Sequence, residues 1–512
     1  ASMDTIMEFD PRAKTAAGEP TLEGENMIAL DSKVATVSFY INGSWEKPQG
    51  RTMGTVTNPA SGAVLAEVPY ANAADVDSAV RGAHAAFLKW REVPVVERVQ
   101  VLYRYKALLD KYANDLAAIL TSENGKTIDD ARMEVRRMIQ MVEVACGMPS
   151  LMMGDSLNDV AAGLDCKSIR QPIGVCAGIT PFNFPAMVPM WMHPFAIACG
   201  NSFILKPSEK VPLTPTRAIE LLHDAGLPPG VLNLIHGDKD SVNALLHHPL
   251  VKAVSFVGST PIAKYIYTTA ATEGKRVQAL GGAKNHLVVM ADADMPKTVE
   301  AIIGSAFGAA GERCLAGSVL VPVGDAAGPL LELLVARTKS LAVGDGAAPG
   351  IEMGPLVTGE HCRKVESYVD KGVAEGATPL VDGRERRAEG GYFLGPTIFD
   401  HVTPEMTIAR EEIFGPVLSV IRVNTLDDAI DLVNSSPFGN ATAIFTASGK
   451  SAREYSSRCE VGMVGINVGV AAPMAFFPFA GWKNSFFGDL HAHGKDAVNF
   501  YTEQKVIMSR WW

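Results

Sequence analysis

The chain has 512 residues, 47% of them hydrophobic and 20% charged, a globular balance that excludes a disordered or fibrous protein. At ~150 residues per domain, the length corresponds to about three folding units. Forty-six basic and 56 acidic residues leave a formal charge of −10, which argues against nucleic acid or an anionic membrane as the main partner.

The first three residues, ASM, read as a cloning scar before Met3, and Asp4, Glu8 and Asp10 fit neither a secretory nor a transit signal. Residues 1–36 lack sustained periodicity and are expected to form a flexible tail. VSFYING (37–43) and TMGTVTNP (52–59) read as a short strand pair. Apolar residues at i, i+3 and i+4 then predict three amphipathic helices over 75–90, 96–120 and 128–146. The most apolar stretch, 184–199, carries three prolines and His193 and falls short of the ~20 residues of a membrane span. From 167 the pattern alternates. GVCAGIT (174–180), NSFILKP (201–207), VLNLIHG (231–237) and VKAVSFVG (251–258) read as buried strands, with helices over 215–225, 241–247 and 261–272. Such alternation signals a parallel sheet covered on both faces. Thr214 is placed to cap helix 215–225, with Pro215 in its first turn and Gly226 ending it. A second α/β series runs from 287 to about 479. Residues 498–509 read as one long exposed strand, a liability unless a second subunit covers it, which favours an oligomer. The seven cysteines are scattered and form no CxxC, so neither a disulfide framework nor a zinc site is expected, and no metal at all. They fit buried thiols in a reducing cytoplasm, one of them free to serve as a nucleophile.

Six short segments carry candidate chemistry. In FVGST (256–260) a strand ends at Gly258, and Ser259 and Thr260 open a helix whose free N–H groups suit a pyrophosphate; an ordinary capped turn reads the same way. In ILKPSEK (204–210), Lys206 ends a strand and Glu209 follows, where a carboxylate can accept ribose hydroxyls; a solvated loop is the alternative. FGAAGERCLAG (307–317) sets Cys314 after a Gly/Ala-rich approach and beside Arg313, as a nucleophile or as a buried thiol. PFNFP (181–185) fixes Asn183 between prolines, as an oxyanion donor or a turn residue. EEIFGPV (411–417) places Glu412 and Phe414 on one face of an extended segment. Arg136 and Arg137 lie mid-helix, so one faces inward and needs an anion, unless it snorkels to the surface.

Taken in order, PFNFP, KPSE, FVGST, LGGAKNH, GERC and EEIFGPV resemble the aldehyde dehydrogenase superfamily from about residue 37 to the end. PSLMMGDSL (149–157), GGAKNH (281–286), GERCLA (311–316) and GWKNSFFGDLHAHGKDAVNFYTEQKV (481–506) are similar to its CoA-acylating methylmalonate-semialdehyde and malonate-semialdehyde dehydrogenases. The resemblance implies an α/β fold with a Rossmann-type NAD domain (37–160 and 180–285), a catalytic domain (286–480) and a β arm (161–179 and 481–512). The arm would pair subunits into a dimer or a dimer of dimers. It further implies Cys314 as nucleophile, with Asn183 and the Cys314 N–H as oxyanion hole. Thr180, Phe182, Lys206, Glu209, Lys210, Ser259, Gly281, Glu412 and Phe414 would line the NAD groove, and Arg137 and Arg313 would hold a substrate carboxylate. Hydrolytic members carry Glu before Leu-Gly-Gly as the base that activates water; here Ala279 stands there, and a methyl group accepts no proton. Coenzyme A, a better nucleophile than water, is then the expected acyl acceptor. The competing readings are a hydrolytic aldehyde dehydrogenase and a catalytically silent NAD-binding protein.

Overall fold

The computed structural model describes residues 35–385 and 390–512. The expected tail lies outside the described residues up to position 34; its last two residues, Ala35–Thr36, form a strand beside Val64–Pro69. Among the described residues, two large sheets dominate. The first runs Phe486–Phe487, Arg276–Leu280, Val251–Val257, Val175–Ile179, Ser202–Lys206, Leu232–Leu234, Phe39–Ile41, Ser44–Glu46. Its centre, from Arg276–Leu280 to Leu232–Leu234, is parallel. Every residue of Val175–Ile179 and Ser202–Lys206 is buried, as strands covered on both faces require. Chain order reverses at Val175–Ile179, which lies between the later strands Val251–Val257 and Ser202–Lys206. A crevice at the carboxyl ends of such strands is where open α/β sheets bind ligands.

The second sheet runs Thr378–Val381, Thr397–Asp400, Val417–Val420, Gly317–Pro322, Asn285–Val289, Ala441–Phe445, Met463–Ile466, and only the Thr378–Val381 edge is antiparallel. It has its own apolar core, around Leu287, Leu320, Phe399 and Ile444. The α/β class expected from the alternating pattern is therefore present twice.

Several local expectations differ from the structure. VSFYING and TMGTVTNP do not pair with each other. Asn42 (φ 52°) and Gly43 (φ 86°) form a two-residue hairpin turn, which returns the chain as Ser44–Glu46, while Met53–Thr57 pairs with Val64–Pro69. The expected helix 96–120 is two helices, Val95–Lys111 and Ala113–Asn124, broken at Tyr112 (φ −103°, ψ 20°). The break lets Glu123 reach helix Leu213–Asp224, where its carboxylate accepts the N–H groups of Leu213 and Thr214, both at 2.7 Å. Thr214 is thus inside the helix, and a distant carboxylate does the capping expected of it. The expected strand 498–509 begins as helix Gly494–Tyr501, because Phe500 and Tyr501 are drawn into the core; the strand itself is Thr502–Arg510.

The boundaries of the arm also shift. Val175–Ile179, expected in the arm, is a central strand of the first sheet, and Phe486–Phe487 is that sheet's edge. A separate three-stranded sheet joins Ser156–Ala161, Leu164–Pro172 and Thr502–Arg510, so residues 156–160 belong with it rather than with the cofactor domain. Leu157, Val506 and Met508 are exposed on it.

One connection governs the site. Between helix Met295–Phe307 and strand Gly317–Pro322 the chain turns left-handed through Ala309 (φ 49°), Ala310 (φ 52°) and Gly311 (φ 72°). Left-handed backbone costs about 1–2 kcal/mol for each L-residue. A Cβ on Gly311 would lie 2.4 Å from the Gly415 carbonyl oxygen, so glycine is needed for space as well as for φ. Gly311→Ala is expected to lower Tm by several degrees and to depress kcat at saturating substrate, read by differential scanning fluorimetry and steady-state rates. A variant with native Tm and kcat would show that this turn does not set the site.

Candidate active site

Two cavities meet at Cys314. The larger, about 950 Å³, opens at the carboxyl ends of the first sheet. Thr180, Phe182 and Asn183 enter it from the loop after Val175–Ile179, and Lys206, Glu209 and Lys210 from the loop after Ser202–Lys206. Ser259 stands at the N-cap of helix Thr260–Thr272 and makes no side-chain cap bond, which leaves its hydroxyl to the cavity. Gly281, Glu412 and Phe414 complete the wall. Every residue expected to line a nucleotide groove is therefore brought together. A Cβ on Gly281 would come within 2.8 Å of the Asn484 carbonyl oxygen, so the glycine allows the chain to fold in close. Lys206 Nζ and Glu209 Oε2 form an ion pair at 3.2 Å.

Glu412 and Phe414 reach the cavity by a different route from the one expected. Phe414 has φ 59°, so the segment is kinked rather than extended. Its ring meets Phe182 edge-on, with centroids 5.7 Å apart, and its carbonyl is hydrogen-bonded to His361 Nε2 at 2.6 Å. Glu412 Oε1 accepts the Ala283 N–H at 2.9 Å. Burial raises the Glu412 carboxyl to about 7 and lowers the neighbouring Lys284 amine to about 7.

The smaller cavity, about 280 Å³, lies on the other side of Cys314. Arg137, Arg313, Trp191, Phe479 and His493 are in its wall. Arg137 is half-buried, and Arg136 is exposed, as helical geometry requires of neighbours. Arg137 touches Gln140 Oε1 (3.4 Å) and Met474 Sδ, and among the described residues it has no carboxylate partner. Arg313 differs. It pairs with Asp130 at 2.7 Å and donates to the Gly304 carbonyl, so its charge is already matched within the protein. The two arginines expected to act together are thus unequal: one is committed and one is free.

Cys314 is fixed through its backbone. Asn285 and Asn440 each donate a side-chain N–H to the Cys314 carbonyl at 2.9 Å. Asn183 Nδ2 lies 3.6 Å from Cys314 Sγ. Burial pushes the thiol up to about 11, the Glu412 carboxylate adds to the rise, and the Asn183 amide opposes it. Ala279 is fully buried in strand Arg276–Leu280. In the smaller cavity, Asp130 is engaged by Arg313 and Glu134 by Lys126. Among the described residues no cluster of three or more His, Cys, Asp or Glu could hold a metal ion.

Sequence reasoning missed Asp130, Lys126, Glu134, Asn285 and Asn440. Glu134 was detectable, since it falls on the apolar stripe Ala131, Val135, Met138 of its helix, where an acid needs a reason. Asn440 carries no such signal, because its role depends on two strands meeting.

The electrostatics predict a sluggish thiol in the free protein. Iodoacetamide alkylation of Cys314, followed by peptide mass mapping, should accelerate from about pH 7 to about pH 10 without levelling, because the thiolate is the reacting form. Glu412→Gln should speed it severalfold at about pH 8 by removing the adjacent negative charge. A plateau already reached at neutral pH, or no response to Glu412→Gln, would contradict this account of the thiol.

Comparison with known proteins agrees with this geometry. The Aldehyde dehydrogenase family model matches residues 45–507. Malonate-semialdehyde dehydrogenase 2 of Geobacillus kaustophilus is 52% identical over 484 residues, which are 94% of this chain and 100% of that protein. A structure of methylmalonate-semialdehyde dehydrogenase from Oceanimonas doudoroffii superposes with a TM-score of 0.92 at 49% identity, covering 93% of this chain and 99% of that one. A Sinorhizobium meliloti structure, described as a methylmalonate-semialdehyde dehydrogenase complexed with NAD, gives a TM-score of 0.92 at 46% identity over 94% and 99% of the two chains. With a family match over almost its whole length, and a thiol and an amide donor lining one cleft, the chain belongs to the aldehyde dehydrogenase family.

Proposed function

We propose that this enzyme oxidises a short semialdehyde acid, malonate semialdehyde or its methyl homologue, with NAD and transfers the acyl group to coenzyme A. The product is acetyl-CoA or propanoyl-CoA, with loss of the carboxylate. The observation that carries the substrate class is Arg137, a half-buried guanidinium lining the same cavity as Cys314 and with no carboxylate partner among the described residues. Such a group calls for an anion, and a bidentate carboxylate suits it. The names of the Geobacillus and Oceanimonas relatives support the same class.

The larger cavity fits a dinucleotide. Thr180 Oγ1 is buried in its wall with no hydrogen-bond partner, and the Ser259 helix start offers free N–H groups. Lys206 and Glu209 would hold the adenosine ribose, where the Glu209 carboxylate disfavours a 2′-phosphate and so selects NAD over NADP. Glu412 would hold the ribose at the nicotinamide end. When bound there, NAD supplies the hydride acceptor.

This chain's own groups do the rest. Cys314 Sγ, as thiolate, bonds to the aldehyde carbon, and the carbonyl π pair moves to oxygen. The Asn183 amide and the Cys314 N–H meet the resulting alkoxide. Once the hydride has left, an acyl thioester remains on Cys314. Arg137 holds the carboxylate through this stage. Cleavage of the bond to that carboxylate releases it as carbon dioxide, and the carbon takes up a proton. The coenzyme A thiolate then attacks the thioester and Cys314 departs as thiolate. Hydrolysis is disfavoured because Ala279 offers no base. A silent nucleotide binder would not need Asn183 beside a thiol.

The exposed three-stranded sheet is where copies of this chain would pair, as a dimer or a dimer of dimers, in the cytoplasm. Among the described residues no helix is long and apolar enough to cross a membrane.

Without coenzyme A, mixing with NAD and semialdehyde should give a burst of about one NADH per site and then slow turnover, and adding coenzyme A should restore the steady rate and yield a thioester. Equal steady rates with and without coenzyme A, with free acid as product, would favour the hydrolytic reading. Arg137→Leu should raise KM for malonate semialdehyde by roughly ten- to a hundredfold, as a lost charge-assisted hydrogen bond of ~1.5–3 kcal/mol implies, while KM for propanal changes little. Arg136→Leu serves as the control. Equal weakening of both aldehydes would make Arg137 a packing residue.

A further inference from the structure

Asn183 does not orient itself. Its Nδ2 makes one side-chain contact, to Cys314 Sγ, and its Oδ1 is buried with no hydrogen-bond partner. The direction of its amide must therefore come from its backbone, and that backbone is gripped by side chains the mechanism does not use. Asn124 Nδ2 donates to the Phe182 carbonyl at 2.9 Å. Lys126 Nζ donates to the Asn183 carbonyl at 2.7 Å and lies 4.5 Å from the centre of the Phe184 ring. Lys126 is also ion-paired with Glu134, both side chains being almost wholly buried. Glu134 Oε1 in turn accepts the N–H groups of Ala186 (2.8 Å) and Met187 (3.1 Å). Residues 182, 183, 186 and 187 are thus held by Asn124 and Lys126, where helix Ala113–Asn124 hands over to helix Ile128–Cys146, and by Glu134 in the second turn of the latter.

We propose that Lys126, fixed by Glu134, is a positioning residue for catalysis: it holds the Asn183 peptide so that the side-chain amide faces the oxygen that forms on the aldehyde carbon. The proposal rests on the reading of Asn183 as oxyanion donor. A buried ion pair is a weak source of stability and can be replaced by apolar side chains, so fold stability alone does not call for a lysine here. What an apolar side chain at 126 cannot supply is a donor to the Asn183 carbonyl. Misplacement of a reacting group by about 1 Å costs on the order of a hundredfold in rate.

The test is a double-mutant cycle on the first NADH turnover, followed by stopped flow with propanal, which has no carboxylate for Arg137. Asn183→Ala should slow that turnover by about a hundredfold or more. Lys126→Met should slow it by about a hundredfold in the native background, yet by less than about threefold in the Asn183→Ala background, because the group it positions is then missing. NAD affinity should stay near native, which a general loosening of the fold would not allow. Glu134→Gln, run in the same cycle, keeps an acceptor for Ala186 and Met187 and weakens only the ion pair; about a tenfold loss, again absent without Asn183, is expected. It decides the matter where Lys126→Met does not fold. Additive effects in the cycle, or a loss below twofold for Glu134→Gln, would overturn the positioning role while leaving the oxyanion reading intact. A native first-turnover rate in Asn183→Ala would instead overturn the oxyanion reading itself.

Discussion

The whole site depends on holding one thiol at a boundary. Cys314 must face the larger cavity on one side and the smaller on the other, and a side chain with a single rotatable carbon cannot be steered far once its backbone is set. The backbone is therefore over-determined. Two amides, Asn285 and Asn440, hold its carbonyl, and the left-handed turn at 309–311 delivers it between the sheets. Strain of this kind persists only where surrounding structure enforces it. Here the enforcing parts come from both sheets: Asn285 opens a central strand of the second, and Asn183 hangs from a central strand of the first.

The same boundary explains the electrostatics. Desolvation of the half-buried Cys314 thiol makes it hard to ionise, and the nearby Glu412 makes it harder. A nucleotide in the larger cavity that engages Glu412 through a ribose hydroxyl would change the carboxylate's setting next to the thiol. On the proposed reading, the readiness of Cys314 would be tied to occupation of the neighbouring cleft, with no hinge required. The smaller cavity follows the complementary rule: each acid in its wall already has a cation, and Arg137 is the cation left over. On the proposed reading, charge arithmetic within the cavity, rather than its shape, would select a carboxylate.

Much of this was legible in the sequence, for identifiable reasons. The buried strands of the first sheet announce themselves as continuous apolar runs, and the residues that follow them fall in the cleft because strand ends do. Local pattern made Lys206, Glu209, Ser259 and Asn183 candidates, each beside an ordinary turn or loop reading, and the family resemblance assigned them to one site. What could not be read was anything decided by contact between distant segments. Nothing near Tyr112 breaks the helical periodicity; the break is understood only once Glu123 is seen capping a helix ninety residues later. Phe414 looks extended in sequence and is left-handed in structure, because its carbonyl is held by His361. Arg313 and Arg137 are alike as residues, and only the position of Asp130 separates them.

The central claim is that Cys314 carries an acyl group awaiting a thiol acceptor. The most direct measurement is peptide-mapped mass spectrometry of the enzyme quenched by acid after mixing with NAD and malonate semialdehyde, in the absence of coenzyme A. The account predicts an acetyl group on Cys314, which coenzyme A removes when added before the quench. An unmodified Cys314 alongside accumulated NADH and free acid would contradict it.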